Sequence, residues 1–242
     1  DDQNNAFMVA FLTLPYDSSG VAHILEHTTL CGSESYPVRD PFFMMLRRSL
    51  NTYMNAFTGS DTTAYPFATQ NHKDFDNLMR VYLDAVFFPE LNILDFAQEG
   101  WRKELDSKDG TRLEYHGVVY NEMKGAMSSP VANLWQYLYT NLFPDTPYKH
   151  NSGGDPVEIP NLSHQDLLQF HSKHYNPSNA IFMTFGSFPC EEHQKRIQDL
   201  VLDRLDTVGV IRNQPNFDEA KLDEFMNGID ALRRKATWTK DD

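Results

Sequence analysis

Residues 6–14 (AFMVAFLTL) form an apolar block rich in strand formers, and the Pro15-Tyr16-Asp17-Ser18-Ser19-Gly20 run after it is turn chemistry. Residues 21–30 contain no Gly or Pro, and Ser18 or Ser19 stands where an N-cap is wanted, so a helix is expected there. Asp40-Pro41 is an N-cap and first-turn pair that predicts a short helix to about Leu50. Residues 51–58 and 62–69, rich in Tyr, Phe and Thr around Gly59-Ser60-Asp61, predict an antiparallel hairpin.

Farther on, Phe75, Leu78, Met79, Tyr82, Leu83 and Val86 recur at helical intervals, the stripe of a helix packed on a sheet over residues 71–88, which Pro89 stops. Residues 94–105 and 117–127 are predicted helices around a polar segment, and residues 131–143 carry a further apolar stripe. Residues 145–160, with their prolines and Gly153-Gly154, predict a long surface loop. Ser163 is placed to cap a helix to about Tyr175, residues 179–188 return to strand pattern, and residues 191–205 are amphipathic helix. The expected architecture is α+β, a mainly antiparallel sheet covered by helices. The expected domain covers residues 1–206, followed by a polar tail at 207–242 in which only residues 225–232 suggest helix.

Composition narrows the function. A formal charge of -13 over 242 residues argues against a nucleic-acid partner and suits cationic ones. No apolar run approaches the roughly 20 residues of a membrane-spanning helix. Cys31 and Cys190 are too few for a disulfide framework and are expected as small core residues. The chain opens at Asp1-Asp2-Gln3 with neither an initiating Met nor a targeting segment, so it is expected to be an excerpt from a longer polypeptide.

The chemistry concentrates in His23-Ile24-Leu25-Glu26-His27. On a helix, residues i and i+4 share a face, so both imidazoles can reach one ion while Glu26 stands beside them. That is the His-x-x-Glu-His arrangement, in which the carboxylate serves the metal's water rather than the metal. A third ligand is needed, and Glu90, Glu99, Glu104, Glu114 and Glu122 are hard to separate by chemistry alone. Glu122 lies in the apolar context VVYNEM, where a buried acid would need a partner such as a metal. His171 and His174 are expected on a helix surface, and Trp101, Trp135 and Trp238 as packing residues.

The segments GVAHILEHTTLCGS, YPVRDPFF, NAFTGSDTTAYPF, FDNLMRVYLDAVFFP, FAQEGWR, GVVYNEMKGAM, SGGDP and FHSKHYNPSNA resemble the pitrilysin family of inverzincin metallopeptidases. The resemblance implies one Zn²⁺ per chain held by His23, His27 and Glu122, with Glu26 as general base. It also implies a first domain of four, the C-terminal half of the full-length enzyme closing a chamber around short unstructured peptides such as cleaved targeting segments, and a mitochondrial matrix location. Compact relatives carry a second glutamate shortly before the ligand, where this chain has Tyr115; an insertion between Gly100 and Gly117 would move that acid to Glu99, as an orienting partner or as a surface ion pair. The resemblance also implies that Asn55 and Ala56 fall on an edge strand that receives an extended substrate by β-addition, the alternative being that they are ordinary strand core. The alternative reading is an incomplete or non-catalytic zinc-binding fragment. The isolated chain is expected to bind zinc and to cleave poorly.

Overall fold

The computed structural model of the protein describes residues 3–105, 110 and 112–207. In chain order the elements are β1 (Asn5–Leu12), α1 (Val21–Thr29), α2 (Pro41–Arg48), β2 (Asn51–Met54), β3 (Phe57–Thr58), β4 (Thr62–Thr69), α3 (His72–Phe87) and α4 (Ile93–Glu99). They continue with β5 (Arg102–Leu105), β6 (Leu113–His116), α5 (Val118–Ala126), α6 (Pro130–Leu142), α7 (His164–His174), β7 (Ala180–Phe185), α8 (Cys190–Ile197) and α9 (Asp203–Thr207).

The main sheet runs β2-β4-β1-β7, with β3 also paired to β4, and every pairing is antiparallel. Because side chains alternate across a strand, Phe7, Val9 and Phe11 of β1 all enter the core, where they are 0–1 % exposed. Phe11 stacks on Tyr175 and Phe7 packs on Phe67, while Ile24 and Leu25 of α1 and Phe75, Leu78, Tyr82 and Leu83 of α3 complete the cluster. Each such side chain, fully buried, contributes about 1.5–3 kcal/mol. That places α1, the helix with the histidines, against β3 and β4 of the sheet.

The stripe of α3 and the Ser163 cap of α7 follow expectation; the structure adds an Asn71 cap on α3, whose side chain accepts from the Asp74 amide, and completes the α7 cap as a Ser163–Asp166 capping box. Other expectations give way. Residues 94–105 are not one helix: α4 ends at Glu99 and the chain turns at Gly100 into the β5–β6 hairpin. Gly100 and Gly117 allow that turn, since a Cβ on Gly117 would lie 2.0 Å from the Gly100 carbonyl oxygen. Residues 51–58 are not one strand but β2 and β3, interrupted at Asn55-Ala56, and residues 191–205 are interrupted by a π turn at Gln198–Leu202.

Neither Ser18 nor Ser19 caps α1. The N-cap is Gly20 in the left-handed region (φ 71°), with no side-chain cap, because Ser18 is turned to residues 151–158: its Oγ accepts from the Asn151 amide and its own amide donates to Glu158. Asp40 is likewise left-handed (φ 54°) and makes no capping bond. The 145–160 segment is therefore not only surface loop, since it covers the start of α1 and buries Ile159 completely.

Among the remaining expectations, Cys190 is exposed rather than in the core. Trp135 is 57 % exposed and packs no core, in keeping with α6, where no residue is buried. Trp101 does pack, its indole N–H donating to the Leu162 carbonyl. His171 is no surface histidine: burial pushes its pKa down to about 4, and its Nε2–H donates to the Val86 carbonyl. Trp238 and residues 225–232 lie outside the described residues, as does the tail beyond Thr207. Among the described residues, no helix is long and apolar enough to cross a membrane.

Candidate metal centre

Helix α1 is buried nearly all round: Val21, Ala22, Ile24 and Leu25 face the core, and His23, Glu26 and His27 face a cavity of about 580 Å³. The rings of His23 and His27 lie 5.1 Å apart, as successive turns of one face require. Their outer nitrogens are spoken for. His23 Nδ1 is 2.9 Å from the Gly153 carbonyl oxygen, and because a carbonyl can only accept, Nδ1 carries the proton. His27 Nδ1 donates in the same sense to the Glu99 carboxylate at 3.2 Å. In the neutral ring this leaves each Nε2 as a free lone pair, and both face Glu122: His23 Nε2 is 3.7 Å from Oε1, and His27 Nε2 is 4.0 Å from Oε2.

His23, His27 and Glu122 thus offer ligand atoms that all lie within 4.8 Å of one another, the one such group of three or more among the described residues. Two neutral imidazoles and a carboxylate, each imidazole tied through its other nitrogen, form a donor set that fits Zn²⁺. Glu122 reaches the site by a different route from the one the sequence suggested. Its side chain is 54 % exposed, so no burial penalty demands a partner. Val119, Tyr120 and Met123 take the buried face of α5, and Glu122 projects from the other side into the cavity.

Of the other candidate acids, Glu99 stands behind His27 at the end of α4, 9 % exposed. Burial acts to raise its pKa, but hydrogen bonds from His27 and Gln98 outweigh that and hold the carboxyl below the ordinary range. Burial acts to lower the pKa of His27, and the Glu99 hydrogen bond with the charges of Glu26, Glu99 and Glu122 reverses it to a net rise. Glu90, Glu104 and Glu114 are not among the residues lining the cavity. Glu26 does not join the metal group; it is 7 % exposed and accepts from Thr58 Oγ1 at 2.6 Å.

Asn55, Ala56, Phe57 and Thr58 line the opposite wall of the cavity, at the edge of the sheet, with Phe42, Phe43 and Leu46 of α2 beside them. Asn55 is held by its backbone, its amide donating to the Pro66 carbonyl and its carbonyl accepting from Tyr82. Two participants escaped the sequence reading, the Gly153 carbonyl and the Thr58 hydroxyl. The Gly153-Gly154 pair was the available signal, since paired glycines often mark a close backbone approach.

Comparison with known proteins gives consistent results. The family described as "Insulinase (Peptidase family M16)" matches residues 15–131. The chain is 52 % identical over 237 residues to "Presequence protease, mitochondrial" of Mus musculus, covering 96 % of this chain and 23 % of the mouse protein. It is 53 % identical over 199 residues to the protein of the same name from Candida albicans, covering 81 % of this chain and 19 % of that protein. The chain therefore spans about a fifth of the length of these relatives. A crystal structure of a protease from Helicobacter pylori shares the fold, with a TM-score of 0.66 and 20 % identity over 83 % of this chain and 45 % of the other.

Proposed function

Because the chain belongs to the insulinase family of peptidases, we propose that it is the catalytic domain of a zinc metalloendopeptidase acting on short, unstructured, often basic peptides. The convergence of His23 Nε2, His27 Nε2 and the Glu122 carboxylate is the observation that carries this reading. When bound, zinc supplies Lewis acidity and brings the pKa of a bound water to about 7.

The protein's own groups do the rest. Glu26, beside the histidines and outside the metal group, takes the proton of the attacking water and returns it to the leaving amine nitrogen. The Gly153 carbonyl and Glu99 fix the ring orientations of His23 and His27. The edge of the sheet at Asn55 and Ala56 holds an extended peptide by strand addition, and apolar Phe42, Phe43 and Leu46 receive its side chains. A net charge of -13 favours positively charged peptides. The relatives' name supports cleaved mitochondrial presequences as substrates, and their location supports a mitochondrial one for this chain.

The relatives' greater length supports a second role for the rest of a full-length protein, that of closing a chamber over this cavity and supplying further groups to the substrate. On that reading the chain alone binds one zinc and turns over slowly, and the full-length protein is active.

Zinc content and peptide cleavage, measured for wild type and Glu122→Gln, test the assignment. Wild type is expected to retain one zinc per chain after dialysis, and Glu122→Gln to lose most of it together with cleavage. Unchanged zinc in Glu122→Gln would move the third ligand elsewhere. Glu99→Gln keeps the size of the side chain but removes its charge from His27, and zinc affinity is expected to fall about 10- to 100-fold in a competition titration. An unchanged affinity would reduce Glu99 to a packing role.

A further inference from the structure

Resting on the peptidase reading above, we infer that Thr58 is the positioning residue of the base: it clamps one oxygen of the Glu26 carboxylate and so directs the other to the water and substrate. Thr58 Oγ1 lies 2.6 Å from Glu26 Oε2 and makes the one side-chain hydrogen bond that Glu26 has among the described residues. Among the described residues no ion pair holds the carboxylate either, in contrast to Asp84, which Arg204 and Ser35 grip together. Without Thr58, nothing in the described structure would select one orientation for the Glu26 carboxylate.

The clamp is itself rigidly mounted. Thr58 pairs with Thr63 across the β3–β4 ladder, the Gly59 amide closes the hairpin onto the Thr62 carbonyl at 2.7 Å, and the fully buried Thr63 hydroxyl is bonded to Thr13 at 2.8 Å. On the other side, Glu26 is fixed by its helix, where the Thr29 hydroxyl donates to the Glu26 carbonyl and meets Tyr65. The hydrogen bond therefore joins the sheet to the helix at the base.

Placement adds a second consequence. Thr58 is on β3, the edge where an extended peptide would pair, and lines the same cavity wall as Asn55 and Ala56. A peptide docked on that edge would hold β3, and with it the donor that sets Glu26. Substrate recognition and orientation of the base then share one residue.

The test compares Thr58→Val, which keeps the shape and strand propensity but removes the donor, with Thr58→Ser, which keeps the donor. In a full-length protein carrying this domain, Thr58→Val is expected to bind zinc normally and to lose roughly 10- to 100-fold in kcat with KM changed by less than about twofold, while Thr58→Ser restores most of the rate. In the metal-free chain, NMR side-chain couplings of Glu26 are expected to show one dominant conformer in wild type and averaging in Thr58→Val. A wild-type kcat in Thr58→Val, an unaltered Glu26 conformer, failure of Ser to restore the rate, or loss of zinc from Thr58→Val would each overturn the positioning role. If wild type does not cleave but the couplings change as stated, the positioning role stands and the peptidase reading falls.

Discussion

Glu26→Gln is expected to keep one zinc per chain and to cleave peptides about a hundred- to ten-thousand-fold more slowly than wild type, the usual contribution of a positioned general base. The substitution is nearly isosteric, and the amide oxygen can still accept from Thr58, so the 2.6 Å contact and the helix should survive. What disappears is the ability to accept a proton. Because Glu26 stands outside the group formed by His23, His27 and Glu122, removing its charge should spare the ligands. Zinc measured by elemental analysis and cleavage measured on one fluorogenic peptide decide the matter together. Retained zinc with lost cleavage supports the division of labour. Retained cleavage would sink it, and lost zinc would make Glu26 a ligand.

Much of the scaffold behind this site was readable from the chain, for identifiable reasons. Helix α3 announces itself because every third or fourth residue from Phe75 to Val86 is apolar and Asn71 supplies the cap. Strand β1 is visible because it lies inside the sheet, with one face buried and Ala6, Met8 and Ala10 on the other at least partly covered, and therefore reads as a continuous apolar run. By contrast β5 is a short ribbon, RKEL, that contributes nothing to the buried core, so its alternation carries no hydrophobic signal and a polar helix fits the same letters. The stripe of α6 misleads in the opposite direction, with Val131, Leu134, Trp135 and Tyr137 all exposed.

The site divides along the same line. His23, Glu26 and His27 are fixed relative to one another by one helical turn, so spacing alone conveys their geometry. Glu122 arrives from α5, and the sequence argument for it assumed burial, whereas its side chain is 54 % exposed. Glu99 and the Gly153 carbonyl arrive from two further segments, and no local pattern reports a contact made across 72 or 130 residues. Family resemblance reached Glu122 because it carries long-range information that periodicity lacks. It could not by itself show which atoms of residues 151–155 meet α1.

That meeting point predicts the largest effect outside the cavity itself. Gly20→Ala is expected to cost about 2 kcal/mol or more of stability and to weaken zinc binding tenfold or more. Gly20 has φ 71°, where an L-residue is strained by roughly 1–2 kcal/mol, and its Cβ would fall 2.8 Å from both the Gly153 oxygen and the Gly154 Cα. These are backbone atoms, so the 151–155 segment itself would have to move, and the oxygen displaced is the one that orients His23. Gly110 provides the control: its φ of 63° is similarly strained, but, its chain neighbours aside, no atom of the described residues lies within 4 Å of the position a Cβ would take. Gly110→Ala should therefore show the backbone cost alone, with zinc affinity unchanged. Urea unfolding of both variants and competition titration with a zinc chelator separate the two effects. Equal zinc affinity in both would mean that His23 keeps its orientation without the Gly153 carbonyl.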